Sequence, residues 1–239
     1  GRPKICVPIA GREAEEILSA AEKIKASPAD MAEWRADWFD GIFDPERTRR
    51  VLERLRNSLG ELPLLFTFRT SGEGGEKEIN VPAYVSLTGS AARSGMADLV
   101  DVEAFAGGGA AEEIIGEAHS AGVKVIASNH DFHRTPSRGE ILSRLVKMQD
   151  MGADIAKIAV MPQSRKDVLT LLSATEEMTS EYARIPVITM SMGEMGVISR
   201  VCGETFGSAV TFGAVGRGSA PGQLGAGELE TVLSILHNK

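Results

Sequence analysis

Eight short apolar runs recur along this 239-residue chain, and stretches of helical periodicity separate them. The runs are Ile5–Ile9, Met31–Arg35, Leu64–Phe68, Leu99–Val102, Val123–Ala127, Ile155–Ala159, Val187–Met190 and Ala209–Phe212. Each is rich in Val, Ile, Leu, Ala or Phe, as strands covered on both faces are. Between them, Ala14–Ala26 and Ser137–Asp150 repeat apolar residues at helical spacing. Pro45–Leu59 follows Asp44, an N-capping residue type, and carries proline at its first position. Ser164 predicts the cap of a helix running to about Tyr182, and Gly227 opens a last one ending near Leu236. Eight strand–helix units are the number that closes a β/α barrel, which typically takes about 250 residues. An open doubly wound sheet is the competing architecture, but it usually carries a glycine-rich fingerprint after its first strand. Here Ile9-Ala10-Gly11-Arg12 holds one glycine. No linker or internal repeat divides the chain, and Gly107–Gly109 reads as a loop. The expectation is an α/β chain forming a single-domain (β/α)8 TIM barrel over residues 1–239.

Composition enters where partners are concerned. The chain is 43% hydrophobic and 25% charged, the balance of a globular protein, and no apolar run approaches the roughly 20 residues that cross a bilayer. A formal net charge of −7 argues against nucleic acid, which needs a basic face. It leaves open a small anion, which meets only its pocket. Cys6 and Cys202 are read as free thiols of a cytoplasmic enzyme, with a single disulfide as the other option. No Cys/His spacing predicts a zinc site, and no metal is expected. Gly1–Lys4 has no signal-peptide pattern and enters a strand almost at once, so a short upstream segment is expected to be missing.

Barrel chemistry sits at the C-terminal ends of strands and in the loops after them. The second strand ends Glu33-Trp34-Arg35-Ala36-Asp37, and period two puts its three charges on one face. A structural ion-pair network and a binding site both fit that pattern. Arg69 caps the third apolar run and leads into Thr70-Ser71-Gly72-Glu73-Gly74-Gly75-Glu76, where glycine permits a tight turn. The fifth run leads into Ser128-Asn129-His130-Asp131-Phe132-His133, with two of the four histidines. A histidine there is either a hydrogen-bonded structural residue or a proton shuttle.

The sixth run, Asp154-Ile155-Ala156-Lys157-Ile158-Ala159-Val160, carries the sharpest signal. Lysine is rarely buried without a partner or a task, and a parallel strand is covered on both faces. Desolvation and nearby cations free the neutral amine, which can attack a ketone. A lysine snorkelling to the rim is the bland reading; the company of the other strand-end residues favours catalysis. Met190 and Met192 share a face of the seventh strand and read as core filling or a site wall. Arg200 follows, and Gly213–Gln223 is a glycine-rich loop suited to a lid or to a plain connection. Arg35, Arg69, Lys157 and Arg200 converging on one cavity in an acidic chain would suit a small anionic substrate.

Taken in order, Glu33-Trp34-Arg35, Phe66-Thr67-Phe68-Arg69 through Glu76, Asn129-His130-Asp131-Phe132-His133, Lys157 to Gln163, Ile188-Thr189-Met190-Ser191-Met192 and Ser219-Ala220-Pro221-Gly222-Gln223 resemble the type I 3-dehydroquinate dehydratases over nearly the whole chain. The resemblance implies dehydration of 3-dehydroquinate to 3-dehydroshikimate in the shikimate pathway, on a β/α barrel, with no metal or cofactor and as a homodimer. It implies that Lys157 forms a Schiff base, that His130 is the acid/base group of a syn elimination and that Glu73 orients it. It further implies that Glu33, Arg35 and Arg69 hold substrate hydroxyls and shape the pocket, that Arg200, Ser219 and Gln223 hold the substrate carboxylate, and that Met190 and Met192 form an apolar wall. Two departures stand out: Pro8 follows Val7 where members of the family can carry serine, and Gly216-Arg217-Gly218 is unusually glycine-rich for the lid. The start at Gly1 also suggests that a family N-terminal hairpin is missing. The rivals are a class I Schiff-base aldolase and a catalytically silent barrel that binds a carboxylate ligand.

Overall fold

Eight parallel strands alternate with helices in the computed structural model, which describes residues 1–216 and 222–237. The strands are β1 (Lys4–Ile9), β2 (Met31–Arg35), β3 (Leu64–Thr67), β4 (Leu99–Glu103), β5 (Lys124–Asp131), β6 (Ile155–Val160), β7 (Val187–Ser191) and β8 (Val210–Phe212). The helices are α1 (Ala14–Lys25), α2 (Pro45–Leu59), α3 (Val81–Arg93), α4 (Ala110–Ser120), α5 (Arg138–Asp150), α6 (Arg165–Glu177), α7 (Ile198–Val201), α8 (Gly203–Phe206) and α9 (Ala226–His237). Strand order runs β7-β6-β5-β4-β3-β2-β1-β8. A bridge between Val187 and Ser208 joins the two ends, with Ala209 N donating to Val187 O at 2.8 Å, so the sheet closes on itself as a (β/α)8 barrel.

The local starts follow their sequence. Asp44 accepts from the amides of Glu46 and Arg47 at 3.0 and 3.1 Å, and Pro45 opens α2. Ser137 and Glu140 form a reciprocal capping box at the start of α5. The helical stretch from Ser164 continues past Glu177 as a π-helical turn, Met178–Tyr182. After β7 the chain makes a 3-10 turn, Glu194–Gly196, and the single turns α7 and α8; Ser199 Oγ accepts from the amide of Ser191 at 2.9 Å and ties the segment back to the strand.

Period two sorts the strands into two environments. Ala32, Trp34, Leu64, Phe66, Val100, Val102 and Val125 pack outward in the main apolar cluster with the helices. Each such fully buried large side chain contributes roughly 1.5–3 kcal/mol. Inward, Cys6, Met31, Leu65, Ile126, Ile188 and Val210 belong to a second apolar cluster. The other inward positions of β2 to β6 include Glu33, Asp101, Glu103, Ser128 and Lys157, all buried.

Most strand ends shift by a residue or more from the expected runs, and three differences from expectation place polar side chains. β5 runs on to Asp131, because its pairing with β6 continues through His130↔Ala159 and Asp131↔Val160. His130 therefore stands within the strand and pairs with Ala159. β4 extends to Glu103, which pairs with Ser128. The alternation of Glu33, Arg35 and Asp37 breaks after Arg35, because a 3-10 turn occupies Ala36–Trp38 and sinks Asp37 completely.

Candidate active site

Lys157 is 3% exposed near the middle of the barrel. Its Nζ lies 3.1 Å from Asp101 Oδ2 and 4.0 Å from Glu33 Oε1, and 4.6 Å above the ring of Phe212. A buried ammonium is tolerable only with such partners. Asp101 in turn receives Arg69 Nη2 at 2.7 Å and Ser128 Oγ at 2.6 Å on its other oxygen. Burial alone would push its carboxyl up, but Arg69 and Lys157 outweigh burial and hold it down at about 2.

Arg69 is the hub of this ring. Its Nη1 donates to Glu103 and to Ser128 Oγ, both at 3.0 Å, and lies 3.6 Å from Glu73. Glu103 also takes the amide and hydroxyl of Thr70 at 2.8 Å each. Glu33 accepts from Thr67 Oγ1 at 2.8 Å. Arg35 grips Asp37 with two parallel hydrogen bonds of 2.8 Å, and Asp37 also takes the amides of Arg69 and Glu76.

At the rim, Glu73 ends a 3-10 turn after β3. Gly74 turns the chain at φ 83°, and Gly75 passes so close to Arg69 O that a Cβ would lie 1.9 Å from it. The glycine-rich turn expected there is thus required at these two positions. Glu73 Oε2 accepts from His130 N at 2.8 Å and meets His130 Nδ1 at 2.9 Å, while Oε1 accepts from Asn129 Nδ2 at 2.9 Å. Burial pushes the Glu73 carboxyl up to about 7, against the pull of Arg69. Burial, with Arg69 and Lys157 adding to it, pushes the His130 imidazolium well down, so the ring is neutral at ordinary pH.

One cavity gathers Glu33, Arg35, Arg69, Glu73, His130, Lys157, Met190, Met192, Arg200 and Gln223, with Phe132, Ala159 and Phe212 between them. Arg200 is 2% exposed and sits in α7, with Nη1 4.0 Å from Met190 Sδ; burial lowers its guanidinium to about 10. Gly222 packs on the loop after β7, where a Cβ would lie 2.3 Å from Gly193 O, and Gln223 follows it into the cavity. Ser219, and the lid expectation on Gly216-Arg217-Gly218 beyond Gly216, lie outside the described residues. His133 stands apart from this cavity; its carbonyl takes Gln163 Nε2 at 2.9 Å.

Sequence reading missed Asp101, Glu103, Ser128, Asn129 and Phe212 as site residues. The signal was present for two of them: Leu99-Val100-Asp101-Val102-Glu103 sets acids two apart inside an apolar run, the spacing of one strand face.

Charged groups of both signs, a buried amine and a neutral imidazole around one small cavity can bind an anion, form an imine and move a proton. Comparison with known proteins identifies the family. The model of the family described as type I 3-dehydroquinase matches residues 5–239. A 3-dehydroquinate dehydratase of Clostridioides difficile is 52% identical over 99% of this chain and 93% of its own length. One from Klebsiella pneumoniae is 51% identical over 99% and 94%. Among solved structures, the Clostridium difficile type I enzyme, crystallised with covalently modified comenic acid, superposes with a TM-score of 0.96 at 52% identity, covering 100% of this chain and 93% of that one. The Aquifex aeolicus 3-dehydroquinate dehydratase gives 0.83 at 28% identity, covering 99% and 100%.

Proposed function

The chain belongs to the type I 3-dehydroquinase family, the hydro-lyases that dehydrate 3-dehydroquinate in the shikimate pathway, and from that premise we propose that it removes water through an imine on Lys157. The observation that carries the reading is a buried Lys157 in the same cavity as His130, whose Nδ1 meets Glu73 at 2.9 Å.

Lys157 gives up its ammonium proton as its amine adds to the substrate ketone, and the carbinolamine hydroxyl leaves with that proton as water to give an iminium. That cation withdraws electrons from the neighbouring carbon and makes its C–H acidic. Glu73 accepts a hydrogen bond from Nδ1–H of His130, which leaves the lone pair of Nε2 free to take the carbon-bound proton. The imidazolium so formed then gives a proton to the departing hydroxyl, which leaves as water. One histidine serving both steps requires both groups on one face of the substrate, hence syn elimination. Water finally hydrolyses the product imine and returns the amine. Net, one water is lost.

Arg200 and Gln223 hold the substrate carboxylate in this scheme, together with Ser219. Glu33, Arg35 and Arg69 contact its hydroxyls, and Met190 and Met192 wall its apolar side. Remote binding of this kind orients the reacting carbons. The scheme uses no metal or cofactor. We extend the family expectations of a homodimer, a cytoplasmic location and a single catalytic domain over residues 1–239 to this chain. Among the described residues, no helix is long and apolar enough to cross a membrane.

The test is incubation with 3-dehydroquinate and borohydride, followed by intact mass and peptide mapping. The expected result is a reduced adduct on Lys157. Folded protein that turns substrate over with no adduct, or with an adduct on another residue, would overturn the covalent scheme.

A further inference from the structure

Asn129 alternates with His130 along β5 and joins two groups of opposite character. On one side, Arg144 of α5 donates from Nη1 to Asn129 Oδ1 at 2.9 Å. On the other, Asn129 Nδ2 donates to Glu73 Oε1 at 2.9 Å. A guanidinium has only donors and an ionised carboxylate only acceptors. An amide held between them has one orientation: oxygen toward Arg144, NH2 toward Glu73. Asn129 is 9% exposed, so water is a poor substitute for either partner.

The consequence reaches the imidazole. With NH2 facing it, Glu73 is favoured as the anion that accepts a hydrogen bond from Nδ1–H of His130. If the amide turns over, its oxygen faces Glu73, and only the protonated acid can be satisfied. The charged groups acting on Glu73 are Arg69 at the end of β3 and Glu103 on β4, beside the direct contacts from Asn129 and His130 on β5. Arg69, Lys157 and Arg35 act on His130 from across the cavity. Arg69 and Glu103 partly oppose each other at Glu73, so the amide is well placed to decide its state.

We propose that Arg144 is a positioning residue for proton transfer: through Asn129 it keeps Glu73 charged and His130 in the tautomer with the proton on Nδ1. Arg144 does not line the cavity, and the inference rests on the acid/base reading of His130 above.

The experiment compares the parent, Arg144→Met and Arg144→Lys in kcat/KM against pH, with borohydride trapping alongside. Arg144→Met should move the acidic limb up by about one pH unit, the scale of one charge-assisted hydrogen bond. That is roughly a tenfold loss below the limb, with little loss above it. Arg144→Lys, which also only donates, should restore the parent's limb, and trapping on Lys157 should persist in both. If Arg144→Met does not fold, Arg144→Gln takes its place, with a smaller shift in the same direction, since glutamine can face Asn129 with either end. A limb unmoved in Met or Gln overturns the proposal, as does a loss equal at every pH and shared by Lys. A parent that turns over with no adduct removes the reading on which the inference stands. A parent that is trapped, beside an unmoved Arg144→Met, overturns this inference alone.

Discussion

Asp101 divides its two oxygens between two cations: Oδ2 lies 3.1 Å from Lys157 Nζ, and Oδ1 lies 2.7 Å from Arg69 Nη2. One buried carboxylate thus compensates the reactive amine and the arginine that organises the rim. Removing it leaves two buried cations facing each other, with Glu33 beside Lys157 and Glu103 and Glu73 beside Arg69 as remaining acidic partners. We expect Asp101→Asn to lower unfolding free energy by about 3–5 kcal/mol, the cost of breaking a buried pair. The sign with pH follows from a carboxyl held below its ordinary 3.8, at about 2. Its contribution is complete above 3.8 and is lost as pH falls through 2. Urea midpoints of parent and variant should therefore differ by a constant amount above pH 4 and converge below it. A gap that widens in acid would contradict this account.

Glu73 should govern the acidic side of activity. Its carboxyl is raised from 4.5 to about 7, and His130 is already neutral there, so the pair should give kcat/KM a rise with pH centred near 7. In Glu73→Gln that rise should vanish and the plateau should fall by about 10²–10⁴, the range of a general-base contribution. Stability should run the other way. A raised folded value contributes stability that is complete below 4.5 and lost as pH climbs through 7. Relative to the parent, the variant should therefore melt higher at pH 8 than at pH 4.

Lys157→Ala should abolish turnover, and His130→Ala should retain imine formation while losing about 10²–10⁴ in kcat. Borohydride trapping separates them: adduct on Lys157 in the histidine variant, none in the lysine variant. A histidine variant that cannot be trapped would move His130 into imine formation.

Arg35→Lys is a sharper test of geometry than of charge. The two-pronged grip on Asp37, with both bonds at 2.8 Å, needs a planar fork that lysine lacks. Asp37 also holds the amides of Arg69 and Glu76, at the two ends of the turn that carries Glu73. The expected result is a loss of roughly tenfold in kcat/KM, about one charge-assisted hydrogen bond. Faster proteolytic cleavage within residues 70–77 should accompany it. Unchanged kinetics would make the pair structural only.

Most of the barrel was legible because strands buried on both faces must be apolar, and eight such runs stand at regular spacing. The unforeseen features are those that pairing decides. His130 lies on β5 because its backbone continues the ladder to β6 beyond the end of the apolar run. Asp37 left the strand face because a 3-10 turn intervened. Arg144 reads in sequence as one more polar residue of an amphipathic helix, and nothing local marks its bond to Asn129.

The sequence by itself determined the eight-unit barrel, the alternation that sets Glu33 with Arg35 and Met190 with Met192 on one face each, and a lysine, Lys157, inside an apolar strand. Those follow from local periodicity and from the rarity of a lysine inside an apolar strand. Tertiary structure decided which acid answers which base. Asp101 and Lys157 are 56 positions apart, and so are Asn129 and Glu73. Whether such pairs touch depends on strand register and on the closure of the sheet, and a buried charge accepts only a partner at hydrogen-bond distance.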